Sequence, residues 1–159
     1  MEEIEKNRNV VQRDLERIYP GALKAVLFDM DNTLFDFVAA KLEACREILS
    51  FIWREKGDIA EEPLELFRYF LRGVYGFEDY ENIRDYMQER NVFTAQGYRK
   101  CCEIYEREKL QNLELYTGVR DTLDKLKELG LKLVIITDAD KHHTLGRLTK
   151  VGLLEHFDL

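Results

Sequence analysis

Two apolar runs far apart in the chain, Lys-Ala-Val-Leu-Phe-Asp at 24–29 and Leu-Lys-Leu-Val-Ile-Ile-Thr at 131–137, leave few folds open. Their apolar character is nearly continuous rather than alternating. That pattern belongs to strands covered on both faces, and such strands occur in parallel sheets. Parallel neighbours need a long crossover, usually helical. The sequence around the second run supplies helices: Thr117-Gly118 introduces one with Val119, Leu123 and Leu126 on a single face and Gly130 as its C-terminal cap. His143 to Val151 fits another, with Gly152 after it, and Phe157-Asp158-Leu159 reads as the opening of a third strand. Ile4, Val11, Leu15 and Ile18 predict an amphipathic helix over residues 3–18, stopped by Tyr19-Pro20-Gly21. The expected class is α/β, a three-layer parallel-sheet domain.

Between Asp36 and about Leu113 no comparable strand occurs. Val38, Leu42, Cys45, Leu49 and Trp53 recur at helical intervals, as do Tyr98, Cys102 and Tyr105. Breaks at Gly57, Pro63, Gly73 to Gly76 and Gly97 divide this section into about four helices. The expected organisation is a core domain from residues 1–35 and 114–159, interrupted by an all-helical cap over 36–113, whose Tyr and Phe residues form its own core. At 159 residues there is room for these two domains and little more.

Composition excludes several classes. A formal charge of -7 argues against a general polyanion binder, which needs a basic field to displace phosphate counterions. Residues 1–20 are charged and lack an apolar run, so they resemble neither a secretory signal nor an anchor. Three cysteines, Cys45, Cys101 and Cys102, give no disulfide framework and no zinc spacing. They predict packing roles in a reduced, cytoplasmic protein.

The chemistry-bearing segment comes directly after the first strand. Phe28-Asp29-Met30-Asp31-Asn32-Thr33-Leu34 places two carboxylates where a buried strand opens into a loop, and in open parallel sheets ligands bind beyond the carboxyl ends of the strands. Two close carboxylates repel unless a cation or proton lies between them, and oxygen donors of this kind suit magnesium. One ionised carboxylate can attack phosphorus while the second protonates the departing alcohol. On spacing alone, Asp29 and Asp31 serve equally well as turn or helix caps. Asp138, Asp140, His142 and His143 form a second polar cluster, which reads as a solvated first helical turn with Asp140 as a cap.

Asp-Met-Asp-Asn-Thr-Leu-Phe-Asp after an apolar strand resembles the first motif of the haloacid dehalogenase superfamily, Asp-x-Asp-x-Thr/Val. Tyr116-Thr117-Gly118-Val119, Leu129-Gly130 and Val134 to Asp138 resemble the approach to the family's second motif, a strand ending in Ser or Thr. Val151 to Asp158 resembles the family's stretch after that motif, and the helical insertion resembles its cap. The resemblance implies a Rossmann-like core and a magnesium-dependent phosphate monoester hydrolase working through an aspartyl phosphate. It makes Asp29 the nucleophile and a magnesium ligand. Asp31 becomes the general acid and base, touching the metal through its backbone carbonyl. Thr137, Asp138 and Asn32 become phosphate-binding residues. Because an alkoxide leaving group needs a proton and a halide does not, Asp31 favours phosphate ester hydrolysis over dehalogenation; mutase and phosphonatase chemistry stay open.

The family's third motif, a Lys, and its fourth, an acidic pair, are not found in this sequence; Lys141 and Lys150 belong to the helix after the second motif. The resemblance therefore implies an incomplete sheet and an open apolar edge. A second polypeptide supplying the missing strands and motifs is the expected partner, which makes this one part of a split enzyme. An inactive remnant, a truncated chain and a non-catalytic assembly subunit are the alternatives.

Overall fold

The computed structural model describes Arg13, residues 23–57 and residues 61–158. The helix expected over residues 3–18 lies outside these apart from Arg13, which is helical. The order of elements is β1 (Ala25–Phe28), α1 (Phe37–Lys56), α2 (Pro63–Leu71), α3 (Glu81–Glu89), α4 (Ala95–Gln111), α5 (Val119–Glu128), β2 (Lys132–Ile135), α6 (Lys141–Lys150) and a 3-10 turn at Leu154–His156. The fold is α/β. It divides into two compact units, Met1–Phe35 with Leu115–Leu159, and Asp36–Glu114.

In the first unit β1 and β2 pair in parallel, with Ala25 opposite Lys132 and Phe28 opposite Ile135. The crossover helix α5 packs on β2 and buries Leu123, as its periodicity predicts. Gly118 precedes α5 at φ 83° and Gly130 follows it at φ 79°, left-handed conformations that favour glycine. The amide of Asp158 donates to the Leu133 carbonyl at 2.7 Å, and its carboxylate accepts from the Leu133 amide at 2.9 Å. Asp158, where the sequence suggests the opening of a third strand, thus bonds to β2, but the described residues there form no strand, and Leu159 lies outside them. The composition of both runs suits burial, yet Leu27 and Ile136 are each 58% exposed, in keeping with the open apolar edge that an incomplete sheet implies. The physical reason is that two strands, the sheet among the described residues, cannot cover both of their own faces and edges.

The second unit is a four-helix assembly. Ala44, Cys45, Ile48, Leu49 and Ile52 form the buried stripe of α1 and pack with residues such as Phe70 of α2, Tyr86 of α3 and Tyr105 of α4. Phe70 and Tyr105 stack at 5.2 Å, so these rings belong to the core. Asp36 caps α1 by accepting from the Ala39 amide at 2.8 Å, and Gly57 at φ 75° ends it. Pro63 occupies the first position of α2, where a missing N–H costs nothing. Gly97 is not a break between helices, as the composition suggests. It is the third residue of α4, and its amide donates to the Thr94 hydroxyl at 2.9 Å. A Cβ there would lie 2.8 Å from that hydroxyl, so glycine allows the cap to close. The chain turns earlier, at Asn91, whose φ is 54°.

Lys41, in α1, is fully buried within the same unit. Its ammonium donates to the Phe77 carbonyl and lies 3.3 Å from the centroid of the Phe77 ring and 4.1 Å from that of Phe70. A charge at such a depth needs these partners to offset its desolvation. Burial pushes the Cys45 thiol up to about 12, which suits a packing residue. No helix among the described residues is long and apolar enough to cross a membrane.

Replacing Ile48, which has no exposure, by Ala removes packing from the centre of this unit. The expected loss is about 2–5 kcal/mol of unfolding free energy. Urea denaturation followed by far-ultraviolet circular dichroism measures it.

Candidate active site

The carboxyl ends of both strands bring the candidate residues to one edge of the sheet. Asp29 directly follows the last residue of β1, and Thr137 lies two residues past the end of β2; the Ile136 amide donates to the Phe28 carbonyl at 2.8 Å and extends the parallel ladder to this point. After Asp29 the chain folds into a tight turn. The amides of Thr33 and Leu34 donate to the Met30 carbonyl at 3.3 and 2.9 Å, and the Asn32 amide donates to the Phe35 carbonyl at 3.0 Å. Met30, Leu34 and Phe35 are buried and anchor this turn from below. Phe35 also bridges to Leu115, and the Tyr116 amide donates to the Leu34 carbonyl at 3.0 Å. Asn32 holds the left-handed conformation, φ 59°, which Asn tolerates better than most residues.

This turn gives the two carboxylates different surroundings. Asp29 is exposed and accepts a hydrogen bond from the Thr33 hydroxyl at 2.8 Å. Among the described residues no Lys or Arg pairs with it. Asp31 is mostly covered, and its Oδ2 accepts from Nη1 of Arg147 at 2.6 Å. Sequence reasoning misses Arg147. The available signal is its spacing: it falls in line with Thr144, Leu148 and Val151, the buried face of α6, where an unpartnered charge would be costly.

Thr137 is half-buried, and its hydroxyl oxygen accepts from the Ala139 amide at 3.2 Å. Its own O–H is then oriented to donate elsewhere. Asp138 and Asn32 are both exposed. Asp140 is the N-cap of α6 and accepts from the His143 amide at 2.9 Å, which holds its carboxyl below the usual carboxylate range. His143 Nδ1 lies 2.9 Å from the same carboxylate. Asp140 and His143 are thus engaged with each other at the helix terminus, where the sequence pattern suggests a cap.

The donor chemistry at the strand ends is carboxylate, carbonyl and hydroxyl oxygen. Among the described residues no three His, Cys, Asp or Glu side chains come close enough to cage an ion. Such a set fits magnesium, which takes one or two protein carboxylates and fills its octahedron with water and substrate phosphate. Asp29 and Asp31 are the residues that would hold it.

A family model for haloacid dehalogenase-like hydrolases matches residues 26–159, and the chain belongs to that family. It is 28% identical over 150 residues to a phosphoglycolate phosphatase of Nitrosospira multiformis, covering 89% of this chain and 61% of that protein. Among solved structures, a Thermotoga maritima protein assigned as a beta-phosphoglucomutase superposes with a TM-score of 0.68 at 27% identity, covering 86% of this chain and 59% of the other. The HAD-hydrolase YfnB of Bacillus subtilis, solved bound to magnesium, shares the fold with a TM-score of 0.62 at 22% identity, covering 87% of this chain and 64% of its own. The chain thus spans about three fifths of the length of these relatives.

Because its cap bond favours the ionised form, Asp140 stabilises the fold above the ordinary carboxylate range, and the contribution is lost as pH falls through its depressed value. Asp140→Ala is therefore expected to lower the melting temperature at neutral pH, with the gap to wild type closing in acid. Thermal melts across a pH series measure both.

Proposed function

We propose that this chain carries the nucleophile and phosphate-binding end of a magnesium-dependent phosphate monoester hydrolase. The carrying observation is the exposed Asp29 carboxylate at the end of β1, hydrogen-bonded by Thr33 and set at the same sheet edge as Thr137. Phosphatase relatives at similar coverage support the reaction class; one is described as acting on phosphorylated carbohydrates. Small phosphorylated acids and sugars are accordingly the substrate class.

Asp29 attacks phosphorus through one carboxylate oxygen, the ester P–O bond breaks, and the departing alkoxide takes a proton from Asp31. Asp31 then accepts a proton from water, whose oxygen attacks the aspartyl phosphate and releases phosphate and free Asp29. The Thr33 hydroxyl fixes the rotamer of the nucleophile, and the hydroxyl of Thr137 with the Asp138 amide donates to phosphoryl oxygens as their charge grows. Asn32 borders the same phosphate position. Magnesium, when bound by Asp29 and Asp31, would shield the attacking carboxylate from phosphate.

A second polypeptide belongs to the same reading. Leu27 and Ile136 are exposed, and among the described residues β1 pairs with β2 alone. An added strand bearing a Lys and a further acidic pair would cover that apolar surface and complete the charge balance of the site. Cys45, Cys101 and Cys102 carry thiols rather than disulfides, which suits a reducing cytoplasm.

The test is hydrolysis of an aryl phosphate with magnesium, by the chain alone and with proteins that co-purify from its source cells. Expected is weak or no turnover alone and a gain of roughly tenfold or more with the companion. Asp29→Asn should reduce the stimulated rate by roughly a thousandfold or more. Undiminished activity in that variant overturns the mechanism, and a monodisperse chain that captures no companion overturns the second polypeptide. Release of inorganic phosphate from a sugar phosphate separates hydrolysis from mutase chemistry, which only relocates the group.

A further inference from the structure

The ion pair between α6 and the turn after β1 has a consequence for the charge of the site, and it rests on the phosphohydrolase reading above. The Arg147 side chain is 3% exposed and that of Asp31 is 22% exposed, and the two residues stand 116 positions apart in sequence. Removing a guanidinium from water is costly, and only a close, well-directed partner offsets the cost. A leucine in the Arg147 position would pack beside Thr144, Leu148 and Val151 without that cost, so cohesion of α6 alone does not call for arginine. The geometry ties it to Asp31 instead.

From this geometry we infer that Arg147 is a positioning residue for the paired aspartates: it holds the Asp31 carboxylate against α6 and offsets its charge, leaving Asp29 to carry the net charge of the site. Without it the turn would present two neighbouring carboxylates, the partly buried one deprived of this ion pair. With it, the nucleophile stays exposed beside Thr33, and Asp31 keeps one rotamer between turnovers. The neutralising charge of the first motif is built into the chain's own second-motif helix. Neither Lys141 nor Lys150 does this; both are exposed.

A double-mutant cycle over Arg147→Met, Asp31→Asn and the pair, read by metal-free thermal unfolding and by magnesium titration calorimetry on the full chain, tests the inference. Arg147→Met should be strongly destabilised, and adding Asp31→Asn should recover much of the loss, because the carboxylate that Arg147 pairs with is then gone. Arg147→Met should bind magnesium more tightly than wild type, by roughly tenfold, since one positive charge has left the site. If Arg147→Met does not fold, Arg147→Lys replaces it and should keep wild-type magnesium affinity while losing part of the coupling, because an ammonium retains the charge without the planar fork. Additive effects of the single substitutions, or magnesium affinity unchanged or weakened in Arg147→Met, overturn the inference. Failure of the underlying reading shows separately, as phosphatase turnover that survives Asp29→Asn.

Discussion

Parallel pairing between β1 and β2, with Phe28 opposite Ile135, determines where each candidate residue falls, because in such a pair both strands run out at the same end. A slip of one residue would change which residues meet at this end and turn the side chains of the shifted strand to the other face. The register is held by the crossover helix α5, which buries Leu123, and by the extra ladder bond from Ile136 to Phe28. The segments beyond the strand ends, a tight turn after one and the capped start of α6 after the other, can then be small and specialised.

The turn after β1 shows how burial and polarity are separated over a few residues. Met30, Leu34 and Phe35 take the buried positions, and the backbone bonds to Met30 and Phe35 satisfy amides that would otherwise be stranded. Asp29 is thereby left outward, with a neutral hydroxyl as its partner, whereas Asp31 faces a buried guanidinium. Two carboxylates separated by one residue thus acquire different electrostatic settings. A nucleophile needs access and an unblocked lone pair, and a proton carrier needs a defined position.

Much of this is legible in the sequence. Continuous apolar runs announce parallel strands, and Gly118, Gly130 and Asp140 mark helix ends through backbone chemistry that does not depend on distant contacts. Gly97 misleads because a glycine near a helix start looks the same, in sequence, as one between helices; only the approach of the Thr94 hydroxyl tells them apart. The apolar runs overstate burial at Leu27 and Ile136, since a strand's composition records the surface it is suited to cover, not the surface that covers it. Arg147 is hidden for another reason. Its partner is set by tertiary packing across the whole chain, and no local pattern encodes a contact over that distance.

The central claim, that Asp29 is the covalent nucleophile, is tested most directly by chemical trapping. When turnover of a phosphate ester by the chain and its companion with magnesium is quenched into borohydride, the hydride reduces an aspartyl phosphate to the corresponding alcohol, and peptide mass spectrometry locates the modified position. The account predicts modification at Asp29 that requires both magnesium and the ester. Hydrolysis that proceeds with Asp29 unmodified, or with the reduced residue elsewhere, would contradict it.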